Sequence, residues 1–151
     1  MKVDLIVIGK YKDKNFEAIE NEFTKRIAKL NFTIHELKSN SENQAGEAAL
    51  ILKKLEDLGK KNKSYTFALT ERGKKYDSPQ FSQAIFQKLE DHGALTFIIA
   101  GAYGFHQDVL DKVDAEISLS PLTFPHKFAR LIFIEQLYRG MTIFDNHPYH
   151  N

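Results

Sequence analysis

Short apolar segments alternate along this chain with longer segments in which apolar residues recur every three or four positions. The short segments predict strands, and the longer ones predict helices with one apolar face. The predicted strands are residues 3–8, 31–37, 65–69, 95–100 and 115–119. The predicted helices are residues 15–30, 41–61, about 79–92, 106–113 and 126 to 141 or 144. This order predicts an α/β domain with a mostly parallel sheet.

Capping residues, glycine and proline mark the ends of these elements. Ser41 is the predicted cap of the second helix, which Gly59 and the lysine-rich residues 60–63 terminate. Pro79 belongs in the first turn of the third helix. The inward faces of the first three helices are predicted to carry Phe16, Ile19, Phe23, Ile27 and Leu30, then Ala45, Ala48, Ala49, Leu52, Leu55 and Leu58, then Phe81, Ile85, Phe86 and Leu89.

Length and composition fit a single soluble domain over residues 1–151. Hydrophobic residues make up 42% of the chain and charged residues 27%, so we expect a substantial core and an ordinary surface. No segment approaches the roughly 20 apolar residues that span a bilayer, and residues 1–9 resemble a strand more than a signal peptide. The absence of cysteine excludes disulfides and thiolate metal sites. We therefore expect a cytoplasmic protein without a membrane segment.

The net charge of +1 bears on the kind of partner. Proteins that coat RNA are often strongly basic, because phosphate contacts dominate nucleic-acid affinity. An enzyme with a local basic patch, or one that doubles its patch by dimerising, is compatible with this charge. Arg72, Lys74 and Lys75 are candidate phosphate contacts, whereas a solvated loop is the favoured interpretation of residues 60–63.

Three predicted strands are followed by unusual loops, and ligands of parallel sheets bind beyond the carboxyl ends of the strands. The loops are residues 70–75, 101–104 and 120–125. Small residues at 100–104 let a ligand approach the backbone, although a plain tight turn is an equal alternative. Residues 120–125 are apolar and contain two prolines, which suits a rigid clasp for a flat ring or a loop folded into the core.

The C-terminal residues 145–151 are dense in groups that donate, accept and stack. His147 and His150 have His-x-x-His spacing, but Pro148 between them argues against a shared helical face, and no third metal ligand has clear spacing. A solvated tail is another alternative. We favour a tail that folds over a binding site.

Four segments carry a joint pattern that is more specific than any of its parts. They are Ile98-Ile99-Ala100-Gly101-Ala102-Tyr103-Gly104-Phe105, Leu119-Ser120-Pro121-Leu122-Thr123-Phe124-Pro125-His126, Glu135-Gln136-Leu137-Tyr138-Arg139 and Asn146-His147-Pro148-Tyr149-His150. Together they closely resemble the RlmH family, which belongs to the SPOUT class of methyltransferases. The resemblance covers the whole chain and extends to Gly9 and residues 69–82.

Members of this family methylate N3 of a pseudouridine in large-subunit (23S) ribosomal RNA, using S-adenosylmethionine. The resemblance implies the same reaction here, on the assembled ribosome. It also implies a SPOUT-type α/β fold with a C-terminal trefoil knot that holds the cofactor, and a homodimer with its active site near the subunit interface. The implied cofactor-binding residues are Leu69, Ala100, Gly101, Gly104, Leu119, Ser120, Pro121, Leu122, Thr123 and Phe124, with no metal.

Two positions depart from the family pattern. Ala100 stands where the family usually has glycine, so its methyl group is expected to narrow the pocket while binding through the backbone persists. Asn151 ends the chain where a basic residue often follows Tyr-His, so one phosphate contact is missing or supplied elsewhere.

The implied chemistry requires removal of a proton from N3, a weakly acidic N–H between two carbonyls. Histidine suits proton transfer near neutral pH, and His150 is the first choice, with His126 and His147 also candidates. Tyr149 is expected to stack on a base or donate to it, and Arg139 and Arg130 to hold phosphate or carbonyl groups. The alternatives are an ion pair of Arg139 with Glu135, and a capping or buried role for His126.

Two functions of other classes compete with this hypothesis. One is a non-catalytic RNA-binding protein of the same fold, and the other is a metal-dependent hydrolase that uses the tail histidines. Cofactor binding without added metal, sensitivity to chelators and methyl transfer distinguish them.

Overall fold

A five-stranded parallel sheet forms the centre of the computed structural model, which describes residues 1–39 and 43–150. Its strands are β1 (Lys2–Ile8), β2 (Phe32–Leu37), β3 (Tyr65–Lys75), β4 (Ala94–Ile99) and β5 (Ala115–Ser118), in the spatial order β2-β1-β4-β3-β5. The helices are α1 (Lys14–Arg26), α2 (Gln44–Lys61), α3 (Ser78–His92), α4 (Gln107–Leu110) and α5 (His126–Phe144). All neighbouring strands run parallel, which confirms the predicted α/β class. The trefoil knot stays a prediction.

Helices cover both faces of this sheet, because successive strand residues point to opposite sides. On one side Val3, Leu5 and Val7 of β1 belong to the larger apolar core, which α3 and α5 complete. On the other side Ile6 and Ile8 pack with residues of α2 and α4. All six residues of the central strand β4 are buried, as expected for a parallel strand covered on both faces.

The first helix is shorter than predicted and buries a different face. α1 ends at Arg26, and a 3₁₀ turn at Ala28–Leu30 leads to Asn31, whose left-handed backbone (φ 46°) directs the chain into β2. Ile19 was predicted to face inward but is 48% exposed, whereas the neighbouring Glu20 is buried. The periodicity was misleading here because a buried arginine, described below, draws Glu20 inward.

The second helix begins at Gln44, where Asn43 Oδ1 accepts hydrogen bonds from the N–H groups of Ala45 and Gly46. The predicted cap, Ser41, lies outside the described residues. Ala48, Leu52, Leu55 and Leu58 face the core as predicted, but Ala45 and Ala49 are exposed, and Glu47 and Ile51 are buried. Across residues 1–39 and 43–150, no helix is long and apolar enough to cross a membrane.

The third and fourth helices agree with the sequence to different degrees. α3 has Pro79 in its first turn, as predicted, and Asp77 and Gln80 form a reciprocal capping box at its start. α4 is only the single turn Gln107–Leu110, shorter than the predicted 106–113.

Strand β3 continues beyond the predicted end at Leu69 and reaches Lys75. Both Leu69 and Lys74 pair with Ile117 of β5, so the residues between them bulge out of the ladder. A Cβ atom at Gly73 would lie only 2.5 Å from the Ile117 carbonyl carbon, so only glycine fits at this approach. Residues 70–75, predicted as a loop, are therefore a bulged strand extension.

Arg130 of α5 ties α1 and β2 to the core through buried ion pairs. Its Nε and Nη2 donate to the Glu20 carboxylate at 2.8 and 2.7 Å, and its Nη1 donates to Glu36 Oε2 at 2.8 Å. The guanidinium carbon lies 4.1 Å from the centre of the Tyr11 ring. Burial alone lowers the pKa of Arg130, but the hydrogen bonds to Glu20 and Glu36 outweigh it and raise the pKa above its ordinary value.

The same environment raises the pKa of the Tyr11 hydroxyl far above its ordinary value, first through burial and then through the neighbouring Glu20. Arg130 is only 7% exposed and is occupied by two carboxylates. This corrects the hypothesis that Arg130 holds RNA phosphate or base carbonyl groups.

The substitution Arg130→Ala is expected to lower the free energy of unfolding by about 3–5 kcal/mol, because it leaves the buried Glu20 carboxylate without its partner. Urea denaturation followed by circular dichroism measures the change. Lys60→Ala is the matched control, since it removes a cation from an exposed helical pair with Glu56 and should change stability little. Equal losses in the two variants would contradict a structural role for the buried network.

Candidate functional site

A cleft of about 990 Å³ opens beside the bulge of β3 and the carboxyl ends of β4 and β5. It is lined by residues 69–72, by most of residues 99–107 and by most of residues 119–126. They overlap the three segments that the sequence singled out, residues 70–75, 101–104 and 120–125, of which the first belongs to β3. The parallel direction of the strands brings them to one edge of the sheet.

Nine of the predicted cofactor-binding residues line this cleft: Leu69, Ala100, Gly101, Gly104, Leu119, Ser120, Leu122, Thr123 and Phe124. Pro121 lies in the same loop and is exposed, but it is not among the lining residues. The structure therefore brings the predicted set together, and its role in binding stays a prediction.

The loop at residues 100–104 is a tight turn and a cleft wall at once. The Gly104 N–H donates to the Gly101 carbonyl at 3.1 Å, and Gly104 has a positive φ of 73°, which glycine adopts without strain. From α2, Gln44 Nε2 donates to the Tyr103 carbonyl at 2.8 Å. The two interpretations considered for this segment are thus compatible.

Gly101 marks the closest packing within this loop. A Cβ atom there would lie 2.7 Å from Glu47 Oε1 and 3.2 Å from Ile8 Cγ2. The first turn of α2 therefore presses a carboxylate against the back of the cleft wall. Sequence analysis did not single out Glu47, although its position four residues before the buried Ile51 indicated the inward face of the helix.

The loop at residues 119–125 is braced by serine hydroxyl groups. Ser118 Oγ donates to the Ser120 carbonyl at 2.9 Å, and Ser120 Oγ accepts from the Leu122 N–H at 3.0 Å. The Leu122 side chain is 69% exposed. The alternative of a loop folded into the core is therefore wrong, and an apolar surface is left at the mouth of the cleft.

His126 is the first residue of α5, lines the cleft and is exposed. The helix is preceded by Pro125 at the cap position, with no side-chain capping bond. The alternative of a capping or buried histidine is therefore wrong. Opposite, Arg72 Nε donates to Glu116 Oε1 at 3.1 Å, so this predicted phosphate contact is already paired with a carboxylate.

A second polar group, the tail cluster, consists of Glu135, Arg139, Tyr149 and His150. Arg139 donates to Glu135 Oε1 from Nη2 at 2.7 Å and from Nε at 3.1 Å, as in the predicted alternative. The Tyr149 hydroxyl donates to the same oxygen at 3.1 Å. Burial and the charge of Glu135 raise the pKa of Tyr149 above its ordinary value, against a smaller opposing effect of Arg139.

The contact between Arg139 and His150 defines the tautomer of this histidine. Arg139 Nη1 lies 3.1 Å from His150 Nδ1, and a guanidinium can only donate. The Nδ1 atom is therefore the acceptor, and in the neutral ring the proton sits on Nε2. This arrangement suits His150 to donate a hydrogen bond from Nε2 better than to accept a proton there.

The tail cluster is separate from the cleft. Its members are absent from the cleft lining, and Tyr149 instead packs on Tyr138 with ring centres 4.5 Å apart. Within a single chain, His126 is the one predicted catalytic residue of the four that lines the cleft. In the part of the chain that the structure describes, no group of three or more His, Asp or Glu side chains could hold a metal ion.

Comparison with known proteins gives full-length matches. A family profile described as "Predicted SPOUT methyltransferase" matches residues 1–150. Proteins named "Ribosomal RNA large subunit methyltransferase H" are similar throughout. That of Flavobacterium psychrophilum is 38% identical and that of Christiangramia forsetii 39%, each over 100% of this chain and 99% of the relative. That of Campylobacter lari is 36% identical over 99% of both chains.

Solved structures share the fold at low sequence identity. A probable methylase family protein from Haemophilus influenzae superposes with a TM-score of 0.59 at 9% identity, over 99% of this chain and 70% of the other. The SpoU methyltransferase AviRb from Streptomyces viridochromogenes gives 0.52 at 9% identity, over 97% of this chain and 61% of the other.

Tyr149 is expected to keep its proton at pH 10, where an unperturbed tyrosine is half ionised. Because folding raises this pKa, the contact stabilises the protein below pH 10, and that contribution is lost as the pH rises further. Glu135→Gln removes the neighbouring charge and should lower the pKa. Ultraviolet difference titration measures this, with Tyr149→Phe identifying the signal among six tyrosines. An unchanged pKa in Glu135→Gln would contradict the assignment.

Proposed function

Because the chain belongs to the SPOUT methyltransferase family, we propose that it transfers a methyl group from S-adenosylmethionine to large-subunit ribosomal RNA. The observation that carries the proposal is that the bulge of β3 and the loops after β4 and β5 line one cleft, in a chain that matches the methyltransferases along its full length. The reaction would take place where ribosomes are, in the cytoplasm.

The residues of the cleft fit such a cofactor. Leu69, Leu119 and Phe124 provide apolar walls for a flat ring, and the small residues at 100–104 let a ligand lie against the backbone. A buried carboxylate oxygen of Glu47, which has no hydrogen-bond partner among the described residues, lies behind Gly101, where a cationic ligand would be favoured. Bound S-adenosylmethionine supplies an activated methyl group on a sulfonium.

The target that the family resemblance implies is N3 of a pseudouridine on the assembled ribosome. The protein must then remove a proton from N3 and hold the two flanking carbonyl groups. We assign the proton-accepting role to His126, which is exposed in the cleft, and a donor role to His150 Nε2. Arg139 and Tyr149 orient His150 and the tail, and the apolar walls exclude water from the reacting groups.

A homodimer would bring these two parts together. The outer side of α5 carries Phe128, Leu131 and Ile132, all partly or largely exposed, and leads directly to the tail cluster. Leu122 extends this apolar surface to the mouth of the cleft. We propose that a second copy of the chain covers this stripe and that the tail cluster of one protomer lies beside the cleft of its partner.

The dimer predicts that Phe128→Glu shifts the protein from a dimer to a monomer, because a charge is then buried at the contact. Sedimentation velocity measures the change. Leu50→Glu, on α2 at the other face of the sheet, is the matched control, because Leu50 is similarly exposed and lies away from the stripe. A wild-type protein that sediments as a monomer at micromolar concentration would contradict the proposal.

The function is tested by transfer of labelled methyl groups to ribosomes that lack the modification, followed by mapping of the labelled nucleotide. We expect one modified pseudouridine, no need for added metal and no effect of a chelator. RNA binding without methyl transfer would favour the non-catalytic binding protein. Chelator-sensitive hydrolysis would favour the metal enzyme. Isolated ribosomal RNA as a parallel substrate shows whether the assembled particle is needed.

The same assay tests His150. His150→Ala should lower the single-turnover rate roughly 100-fold, the order found for loss of one transition-state hydrogen bond, with little change in cofactor affinity. His150→Gln restores an N–H donor but no proton acceptor, so it should recover a large part of the rate. Equal rates for His150→Ala and the wild type would refute a role of His150 in methyl transfer. An equal loss of rate in His150→Ala and His150→Gln would show that His150 accepts the proton and does not act as a donor.

A further inference from the structure

Glu47 combines deep burial with an unsatisfied carboxylate. The residue is 4% exposed, and Oε1 has no hydrogen-bond partner among residues 1–39 and 43–150. Buried carboxylates in proteins are nearly always paired or hydrogen-bonded, because removing their charge from water without compensation is costly. The other deeply buried glutamate, Glu20, follows this rule with two hydrogen bonds from Arg130.

The position of this carboxylate connects it to the cleft. Oε1 lies 2.7 Å and Oε2 3.2 Å from the place where a Cβ atom of Gly101 would be. Gly101 itself lines the cleft. The carboxylate therefore lies against the backbone of a residue that lines the cleft, and a side chain at position 101 would displace it.

The start of helix α2 compensates the negative charge of Glu47 only in part. Glu47 is in the first turn of α2, where the helix dipole favours a negative charge. That effect corresponds to a fraction of a unit charge, and it weakens beyond the first turn. A cationic ligand in the cleft would supply a full charge across a short, poorly screened path.

We propose that Glu47 makes the cleft selective for the cationic methyl donor over the neutral product of the reaction. This inference rests on the proposed function. S-adenosylmethionine carries a sulfonium, and after transfer the sulfur is an uncharged thioether. A fixed buried carboxylate attracts the first more than the second without touching either. It therefore favours donor binding and product release together, which makes Glu47 a specificity-determining residue.

Calorimetric titration of the purified protein with three probes tests this role. S-adenosylmethionine and sinefungin carry a positive charge at the reacting position, and S-adenosylhomocysteine does not. In Glu47→Gln the affinity for the two cationic probes should fall about tenfold, the order expected for two unit charges in partly buried surroundings. The affinity for S-adenosylhomocysteine should change less than about twofold.

Glu56→Gln is the matched control, because it removes the same charge from the exposed far end of α2 and should leave all three affinities unchanged.

Thermal unfolding separates charge selection from a structural role. Without ligand, Glu47→Gln should be at least as stable as the wild type, since an unpaired buried charge disappears. Lower stability with equal loss for all three probes, or no loss for the cationic probes, would overturn the inference. A wild-type protein that binds none of the probes would instead overturn the proposed function.

Discussion

Parallel strand pairing around β4 is the constraint on which the remaining structure depends. Because β3, β4 and β5 run in one direction, the bulge of β3 lies at the same edge as the carboxyl ends of β4 and β5, and these parts line one cleft. The central strands are buried on both faces, so a change of direction or register would expose apolar side chains on one side. The bulge of β3 before Gly73 lets residues 70–72 leave the ladder and line the cleft while the strand still returns to β5.

The buried glutamates on the two faces of the sheet differ in their hydrogen-bond partners. On the α1 and α5 side, Glu20 is neutralised by Arg130, which joins three elements and is itself buried. On the α2 side, Glu47 has no such partner among the described residues, and it sits behind the loop that a ligand would contact. The first arrangement stabilises the fold. The second fits the proposed role, in which the charge of Glu47 acts on a cationic ligand.

Much of the architecture could be predicted from the sequence, because apolar periodicity and strand-end glycines report local structure directly. The five strands, the third helix with Pro79 in its first turn, and the two loops after β4 and β5 are examples. Failures came from contacts distant in sequence. Ile19 is exposed because Arg130 attracts Glu20, 110 residues away, and β3 is long because β5 pairs with it twice. The packing of Glu47 against Gly101, with Oε1 unsatisfied among the described residues, had no signature beyond the helical position of Glu47.

The length of α5 has a consequence for how two defective variants of this protein behave when they are expressed together. His126 at the start of this helix and Arg139 near its end are separated by roughly 20 Å along the helix axis, and the proposed dimer supplies them to one nucleotide from two different chains. In the proposed dimer each reaction centre therefore contains residues from both chains. A chain with a damaged cleft and a chain with a damaged tail, expressed together, would form mixed pairs in which one centre is whole, and two defective alleles would complement each other.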